Sequence, residues 1–322
     1  MSISVASVMH RSGHMYSFWK GKLIAGPHYG VLTLTNLLII VPSLLCVFYT
    51  SCSVVLSIFV AIPFIGSEFF LLKCALTDPG VFPRCALPPD VEQPEPSTME
   101  RVAYLVKLQK GTGYAERHVV LERRYCYTCN LLRPLRTHHC PFCGVCVEKL
   151  DHHCPWTGTC IGIRNHRYFF WFVWFTTLLA ALSSITCIVG LTSRAKTRLE
   201  GQNLIENFLS GASETHYVEL ILLIYSIFIF LLVGGLAVYH SYLVAVNVTT
   251  NEEMRNTFHD GENPFDKGLV RNVFEELLQE VPISRLSGCD THEDEHLALA
   301  GVRPDHLRSQ DEELQAQELG LP

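Results

Sequence analysis

Polar and apolar residues in this chain are sorted into long blocks rather than alternating faces. From Leu23 to Ser67, 45 consecutive residues carry no Asp, Glu, Lys or Arg. As helix, that run would measure roughly 67 Å at ~1.5 Å per residue, whereas a bilayer core is about 30 Å thick. It is too long for one crossing and suits two, with the polar cluster Thr50-Ser51-Cys52-Ser53 as the turn. The first span is expected near Val31–Tyr49 and the second near Val54–Leu72, with Pro42 and Pro63 as kinks that membrane helices tolerate. Glu68 then lies close to the far end of the second span, where it can reach the interface or a protein partner. Two more uncharged runs follow, Tyr168–Leu191 with 24 residues and Leu220–Val246 with 27. Each is long enough to cross a bilayer. The pattern predicts an all-α membrane protein with four transmembrane helices.

That division leaves residues 1–30 before the 31–72 hairpin and a 73–167 loop before the third span at 168–191. A 192–219 loop then leads to the fourth span at 220–246, and 247–280 and 281–322 follow. The first apolar run is too long for a signal-peptide core, and no small-residue cleavage site follows it. Residues 3–19 read as a short interfacial helix. Residues 86–100, with four prolines, read as a linker. A short helix is expected at Val273–Val281, and 281–322 lacks apolar periodicity and reads as disordered.

Composition agrees with the blocks. Hydrophobic residues make up 48% of the 322 and charged residues 17%, where a soluble protein has about 25% charged. Residues 273–322 hold 12 Asp/Glu against 3 Lys/Arg, so −9 of the net −6 sits there and the rest sums to +3. No strongly basic domain is present, so nucleic acid is not an expected partner. The remaining positive charge sets orientation. The N-terminus to Lys22 holds 3 Lys/Arg, the 73–167 loop 13, the 193–216 loop 3 and the C-terminal segment 6. The positive-inside rule puts both termini and the 73–167 loop in the cytosol. The sequon Asn247-Val248-Thr249 then faces the cytosol and should carry no glycan.

Seven of the 13 cysteines fall between Cys126 and Cys160, together with His138, His139, His152 and His153. A cytosolic loop keeps thiols reduced, so metal is the better reading of that density than disulfides. Zinc takes four tetrahedral S/N ligands, and short Cys-x2-Cys pairs supply two at a time. Eleven candidate ligands against eight for two structural zincs leave three groups over. Counting alone does not say which three, but an unligated Cys beside a His is a nucleophile candidate. A RING-type ubiquitin ligase needs a closing Cys-x2-Cys pair, whereas the last two cysteines here are Cys154 and Cys160.

Asp151-His152-His153-Cys154 inside this array resembles the DHHC-type protein S-acyltransferases (palmitoyltransferases), four-span enzymes with a cytosolic cysteine-rich double-zinc domain between the second and third spans. The other markers of that family stand in order: Asp78-Pro79-Gly80, Thr249-Thr250-Asn251-Glu252, and Asn263-Pro264-Phe265-Asp266-Lys267-Gly268 with Asn272 beyond it. The resemblance covers roughly Leu23 to Asn272, with the zinc domain at about 124–167. It implies one zinc on Cys126, Cys129, His139 and Cys146 and a second on Cys140, Cys143, His153 and Cys160. That leaves Cys154, His152 and His138. It gives Asp78, Gly80, Thr250, Glu252, Phe265 and Asn272 structural roles, with Thr250 tying the end of the fourth span to the zinc domain near Asp151. The motif wording is similar to Golgi and plant branches, which implies a Golgi or endoplasmic reticulum membrane.

The residues suit that chemistry. A Cys attacks as thiolate, and an adjacent His can take its proton. Asp151 can hold the other imidazole nitrogen of His152, fixing its tautomer. Cys154 would attack palmitoyl-CoA, hold the acyl group, and pass it to a cytosolic cysteine of a membrane-associated protein. Trp156 and Phe172 are candidates to line the acyl chain, and Arg133, Arg136 and Arg164 to meet the CoA phosphates. The bilayer is a partner throughout, and an accessory subunit is compatible with the resemblance. The competing reading is a non-catalytic membrane scaffold that keeps the zinc fold to bind partners.

Overall fold

A computed structural model describes residues 9–18, 23–50, 53–84, 99–110, 113–196, 217–258 and 263–288. Four of its helices are long and apolar enough to cross a membrane: Tyr29–Tyr49, Val54–Leu76, His166–Ser193 and Tyr217–Ala245. Within these lie α1 (Tyr29–Leu45), continued by a single π turn at Cys46–Thr50, and α2 (Val54–Leu76). α3 runs over His166–Lys196 and α4 over Tyr217–Ala245. Each outlasts the apolar run that foretold it by a turn or so, because a helix continues past the bilayer until a cap stops it. The expected hairpin turn falls partly outside the described residues, but Ser53 caps α2 by accepting from Leu56 N at 3.3 Å. The linker near 86–100 and most of the 192–219 loop also lie outside them.

The spans pack through small and polar contacts, since lipid offers no hydrophobic drive for helices to associate. α3 lies against both α2 and α4. Ser67 and Thr176 share a buried hydrogen bond of 2.8 Å. Pro42 has no N–H for the Leu38 carbonyl one turn back, and the Tyr225 hydroxyl of α4 donates to that carbonyl at 2.7 Å instead. The carbonyl opposite Pro42 in α1 thus becomes a joint to α4.

The expectation of an all-α protein is corrected outside the spans. Eleven strands are present among the described residues. Met9–Ser12 (β1), Met15–Phe18 (β2) and Leu23–Ala25 (β3) form an antiparallel sheet where an interfacial helix was expected. Their cover is the zinc region itself: Met15 and Ile24 are buried with Cys140, Cys143 and Cys160. A long hairpin, Met99–Lys110 (β5) and Gly113–Cys126 (β6), leads into the first cysteine pair, and Leu131–Leu132 (β7) pairs with its end. Val81–Phe82 (β4), His138–Cys140 (β8) and Val145–Val147 (β9) make a second small sheet. His152–Cys154 (β10) and Thr159–Ile161 (β11) make a two-stranded hairpin.

After α4 come a short helix α5 (Thr250–Met254) and α6 (Leu269–Leu277). α6 stops four residues short of the expected Val281. Residues 281–288 are also not free chain. The Ser284 hydroxyl donates to Asp78 and Arg285 pairs with Glu148 at 2.6 Å, with its guanidinium over the Phe82 ring. The acidic stretch beyond 288 lies outside the described residues.

Candidate active site

The cysteine-rich segment folds as three tight hairpins whose turns bring distant ligands together. Cys126, Cys129, His139 and Cys146 gather their ligand atoms within 4.8 Å of one another, and so do Cys140, Cys143, His153 and Cys160. β8 contributes His139 to one cluster and Cys140 to the other, because neighbours on a strand point to opposite faces. Every sulfur in both clusters is buried. His139 Nδ1 lies 3.3 to 3.9 Å from the three sulfurs of its cluster, and His153 Nδ1 lies 3.4 to 3.6 Å from those of its own. Three sulfurs and an imidazole nitrogen held this close suit a dication, and Cys3His is a structural zinc donor set. Both clusters could hold zinc.

Cys154 belongs to neither cluster. It shares β10 with ligand His153, so its side chain leaves the opposite face of the strand. There it joins the apolar cluster of the spans, with Phe169, Phe172 and Val173 of α3, Leu71 and Cys74 of α2 and Ile39 of α1. His152 Nδ1 donates to Asp151 Oδ2 at 2.7 Å, and the imidazole and the Cys154 thiol each shift the titration of the other. Burial would lower the His152 pKa, but Asp151 and Cys154 reverse this and hold it at about 10. For Cys154 burial works upward, and the His152 imidazolium outweighs it, bringing the thiol below its ordinary value. The arrangement favours a thiolate–imidazolium pair against buried apolar side chains of the helices.

Asp151 is fixed from three directions. Thr250 N donates to Oδ1 and Thr250 Oγ1 to Oδ2, both at 2.8 Å, while His152 takes the remaining position. Burial resists the charge on Asp151, but the His152 hydrogen bond and the nearby His166 and His240 imidazoles hold its pKa well below the carboxylate range. Thr250 is placed by a capping box: Glu252 N donates to Thr249 Oγ1 at 3.2 Å, and Thr249 N donates to Glu252 Oε2 at 2.8 Å.

The remaining candidates divide. Asp78 Oδ1 accepts from Gly80 N and Val81 N at 2.9 Å each, and its Oδ2 pairs with Arg164 at 2.9 Å. Gly80 sits at φ +105, where a side chain is strained. Asn272 donates to the Ala245 carbonyl at 2.8 Å, holding α6 against the end of α4. Phe265 lies under the Arg136 guanidinium at 4.5 Å. Arg136 donates to both oxygens of Glu252 at 2.7 and 2.6 Å and to Asn247 Oδ1 and O. These bonds offset a left-handed φ of +58 at Arg136, worth about 1–2 kcal/mol. Arg164 donates to the Pro282 and Asp78 carbonyls as well as the Asp78 carboxylate. Arg136 and Arg164, expected to meet CoA phosphates, direct these donors to groups within the protein, the Glu252 and Asp78 carboxylates among them. Arg133 Nε donates to the Arg124 carbonyl at 3.1 Å and lies at the surface. Burial, then the charges of Arg255 and Arg133, push His138 down to about 4. Phe172 is buried beside Cys154, while Trp156 is 54% exposed, with its carbonyl held by Thr35 Oγ1 at 2.8 Å.

Several residues of the site gave no signal in the sequence. Asn165 donates to the Cys74 and Cys160 carbonyls at 3.2 and 2.9 Å, joining α2, the second cluster and the start of α3. His240, the one His in α4, is buried against Phe169 at 4.9 Å and near His152 at 5.8 Å. Glu276 of α6 pairs with Lys149 at 2.5 Å and with His166 at 2.6 Å. Apart from the Asn165–Cys160 bond, these contacts join residues far apart in sequence, and no spacing rule could have placed them.

Residues 120–257 match the DHHC palmitoyltransferase family. The chain is 33% identical to probable protein S-acyltransferase 5 of Arabidopsis thaliana over 85% of this chain and 59% of that one. It is 33% identical to probable protein S-acyltransferase 6 of Arabidopsis thaliana, over 84% of this chain and 69% of that one. It is 34% identical to palmitoyltransferase ZDHHC18 of Homo sapiens, over 82% and 69%. The match thus spans 59% of the first of these relatives and 69% of the other two. With two Cys3His clusters and a cysteine outside both, the chain belongs to the DHHC palmitoyltransferase family.

Proposed function

We propose that this protein is a protein S-acyltransferase that carries a long-chain acyl group, palmitoyl, on Cys154. One observation supports the reading above the others: of seven clustered cysteines, Cys154 alone lies outside both ligand sets, and it is the one whose thiol His152 lowers in pKa. The Cys154 thiolate attacks the carbonyl carbon of the acyl-CoA thioester, and a C–S bond to Cys154 replaces the C–S bond to CoA. The departing CoA sulfur takes the proton held on His152. In the second half, a cysteine thiol of a membrane-associated protein gives its proton to His152, attacks the acyl-enzyme carbonyl, and releases Cys154 as thiolate. Thioester replaces thioester, so the exchange needs no energy source. Zinc on the two clusters supplies rigidity to the hairpins. Asp151, held by Thr250, keeps His152 in the tautomer that faces the sulfur.

The acyl chain would lie among the apolar side chains packed around Cys154, Phe172 among them, at about 0.8 kcal/mol for each buried CH2. Trp156 and Arg133 remain candidates for the acyl chain and the CoA phosphates. The distribution of Lys and Arg supports a cytosolic position for both termini and the zinc region. The Asn247 amide supports it too: it donates to the Phe265 carbonyl and accepts from Arg136, which leaves no room for a glycan. A Golgi or endoplasmic reticulum membrane completes the reading. The test is incubation of the purified protein with labelled palmitoyl-CoA. The expected result is a hydroxylamine-sensitive adduct on Cys154 that is lost in Cys154→Ser; a scaffold would form none.

A further inference from the structure

The second metal cluster is closed on its outer side by a part of the chain far from it in sequence. The Met9–Ala25 sheet lies over it. His14 N donates to the Cys143 carbonyl at 2.8 Å, and Met15 and Ile24 are buried among Cys140, Cys143 and Cys160. Gly26 passes so close that a Cβ there would stand 2.0 Å from the Gly158 carbonyl oxygen. The next contacts fall on His28, the residue that opens the first membrane helix by accepting from Val31 N and Leu32 N. His28 N donates to the Gly158 carbonyl at 3.3 Å. His28 Nδ1 lies 2.8 Å from His153 Nε2, with the two rings edge to face at 4.9 Å. Two turns on, Thr35 Oγ1 donates to the Trp156 carbonyl at 2.8 Å.

A ligating His generally donates its second ring N–H to a fixed acceptor, which sets the tautomer and ring orientation and strengthens the metal bond. His153 Nδ1 faces the three sulfurs, so Nε2 is the nitrogen left to donate, and it is aimed at His28 Nδ1. We propose that His28 is a positioning residue: as the outer hydrogen-bond acceptor of ligand His153, it fixes the second cluster and, through β10, the neighbouring Cys154. The first membrane helix is thereby tied by its first residue to the hairpin that carries the nucleophile. Nothing in the sequence pattern pointed to it, since His28 precedes its partner by 125 positions.

This inference rests on the zinc reading of the clusters and is independent of the acyl-transfer step. The test uses the full chain, purified with its metal, and counts zinc per chain by elemental analysis during challenge with a chelator. Wild type is expected to hold two zincs. His28→Ala is expected to release one of them about 10–100-fold more readily, the size of effect seen for such outer partners. His28→Asn, whose Oδ1 can accept at the position of the lost Nδ1, is expected to restore retention, while His28→Leu, which only fills space, is not. Equal zinc retention in wild type and His28→Ala would overturn the proposal. So would an Asn variant no better than Leu, since packing would then explain the defect. A wild-type protein with no zinc would instead overturn the reading of the clusters themselves.

Discussion

The two metal clusters have the same donor set, three cysteines and a histidine, yet they are attached to different things. The first joins the end of β6 and the turn after it (Cys126, Cys129) to the β8–β9 hairpin (His139, Cys146), and its apolar surroundings are small: Phe82 and Leu131 beside its own sulfurs. The second lies between the N-terminal sheet, β9 and the β10–β11 hairpin, in a larger buried set that includes Val81, Val145, Val147 and Leu150. Its ligand His153 is the residue before Cys154, and its ligand Cys160 pairs with His153 across the hairpin. Identical chemistry therefore has different consequences. The first cluster joins the β6 turn to the β8–β9 hairpin, whereas the second borders Cys154, the sulfur proposed to react.

The sharpest way to break this comparison is to remove one ligand from each cluster. Cys143→Ser should lose one zinc and lower Cys154 adduct formation by at least 100-fold. Cys129→Ser should also lose one zinc but leave adduct formation measurable. Both are read by zinc content and labelled palmitoyl-CoA, and equal losses would mean the clusters are not distinct in role.

Next in size is the joint that supports the second region from behind. Glu252→Gln leaves the Arg136 guanidinium without its carboxylate at a site where both side chains are 10% exposed or less. Removing one partner of such a pair costs about 3–5 kcal/mol, so thermal unfolding in detergent should shift down by several degrees. Thr250→Val is milder. Asp151 keeps the backbone donor of residue 250 and loses the hydroxyl, a bond to a charged group worth about 1.5–3 kcal/mol. Adduct formation should slow roughly tenfold or more, with zinc content unchanged.

The smallest effect concerns pH. Burial raises the Glu276 pKa, but Lys149 and His166 outweigh it and hold the group well below its ordinary 4.5. A depressed carboxylate contributes stability above its unfolded pKa and loses it as pH falls through the folded one. The docking of α6 should therefore be intact above about pH 4.5 and loosen under more acid conditions. Limited proteolysis after residue 268 reads this, and Glu276→Gln should flatten the profile.

What was legible in the sequence followed from local rules. The four spans show in uncharged runs because hydrocarbon rejects charge wherever it falls. That metal ligands are present shows in cysteine spacing because one tight turn supplies two ligands, while their division into two sets came from the family resemblance. What stayed hidden depends on contacts between distant segments. The strands at residues 9–25 are too short to declare themselves and take their cover from Cys140, Cys143 and Cys160. Ser284 and Arg285 look like part of an acidic tail until Asp78 and Glu148 are found opposite them. Arg136 and Arg164 showed their charge but not their partners. A sequence locates a cation near a membrane, and only the fold says which carboxylate it serves.

Native mass spectrometry of wild type and Cys154→Ser, each after exposure to palmitoyl-CoA, tests the central claim most directly, because one spectrum counts zinc and acyl groups together. Wild type should carry two zincs and one acyl group on Cys154. The serine variant should keep both zincs and carry no acyl group there. A variant that loses a zinc, or one that still forms the adduct, would show that Cys154 is not the cysteine the two clusters leave free to react.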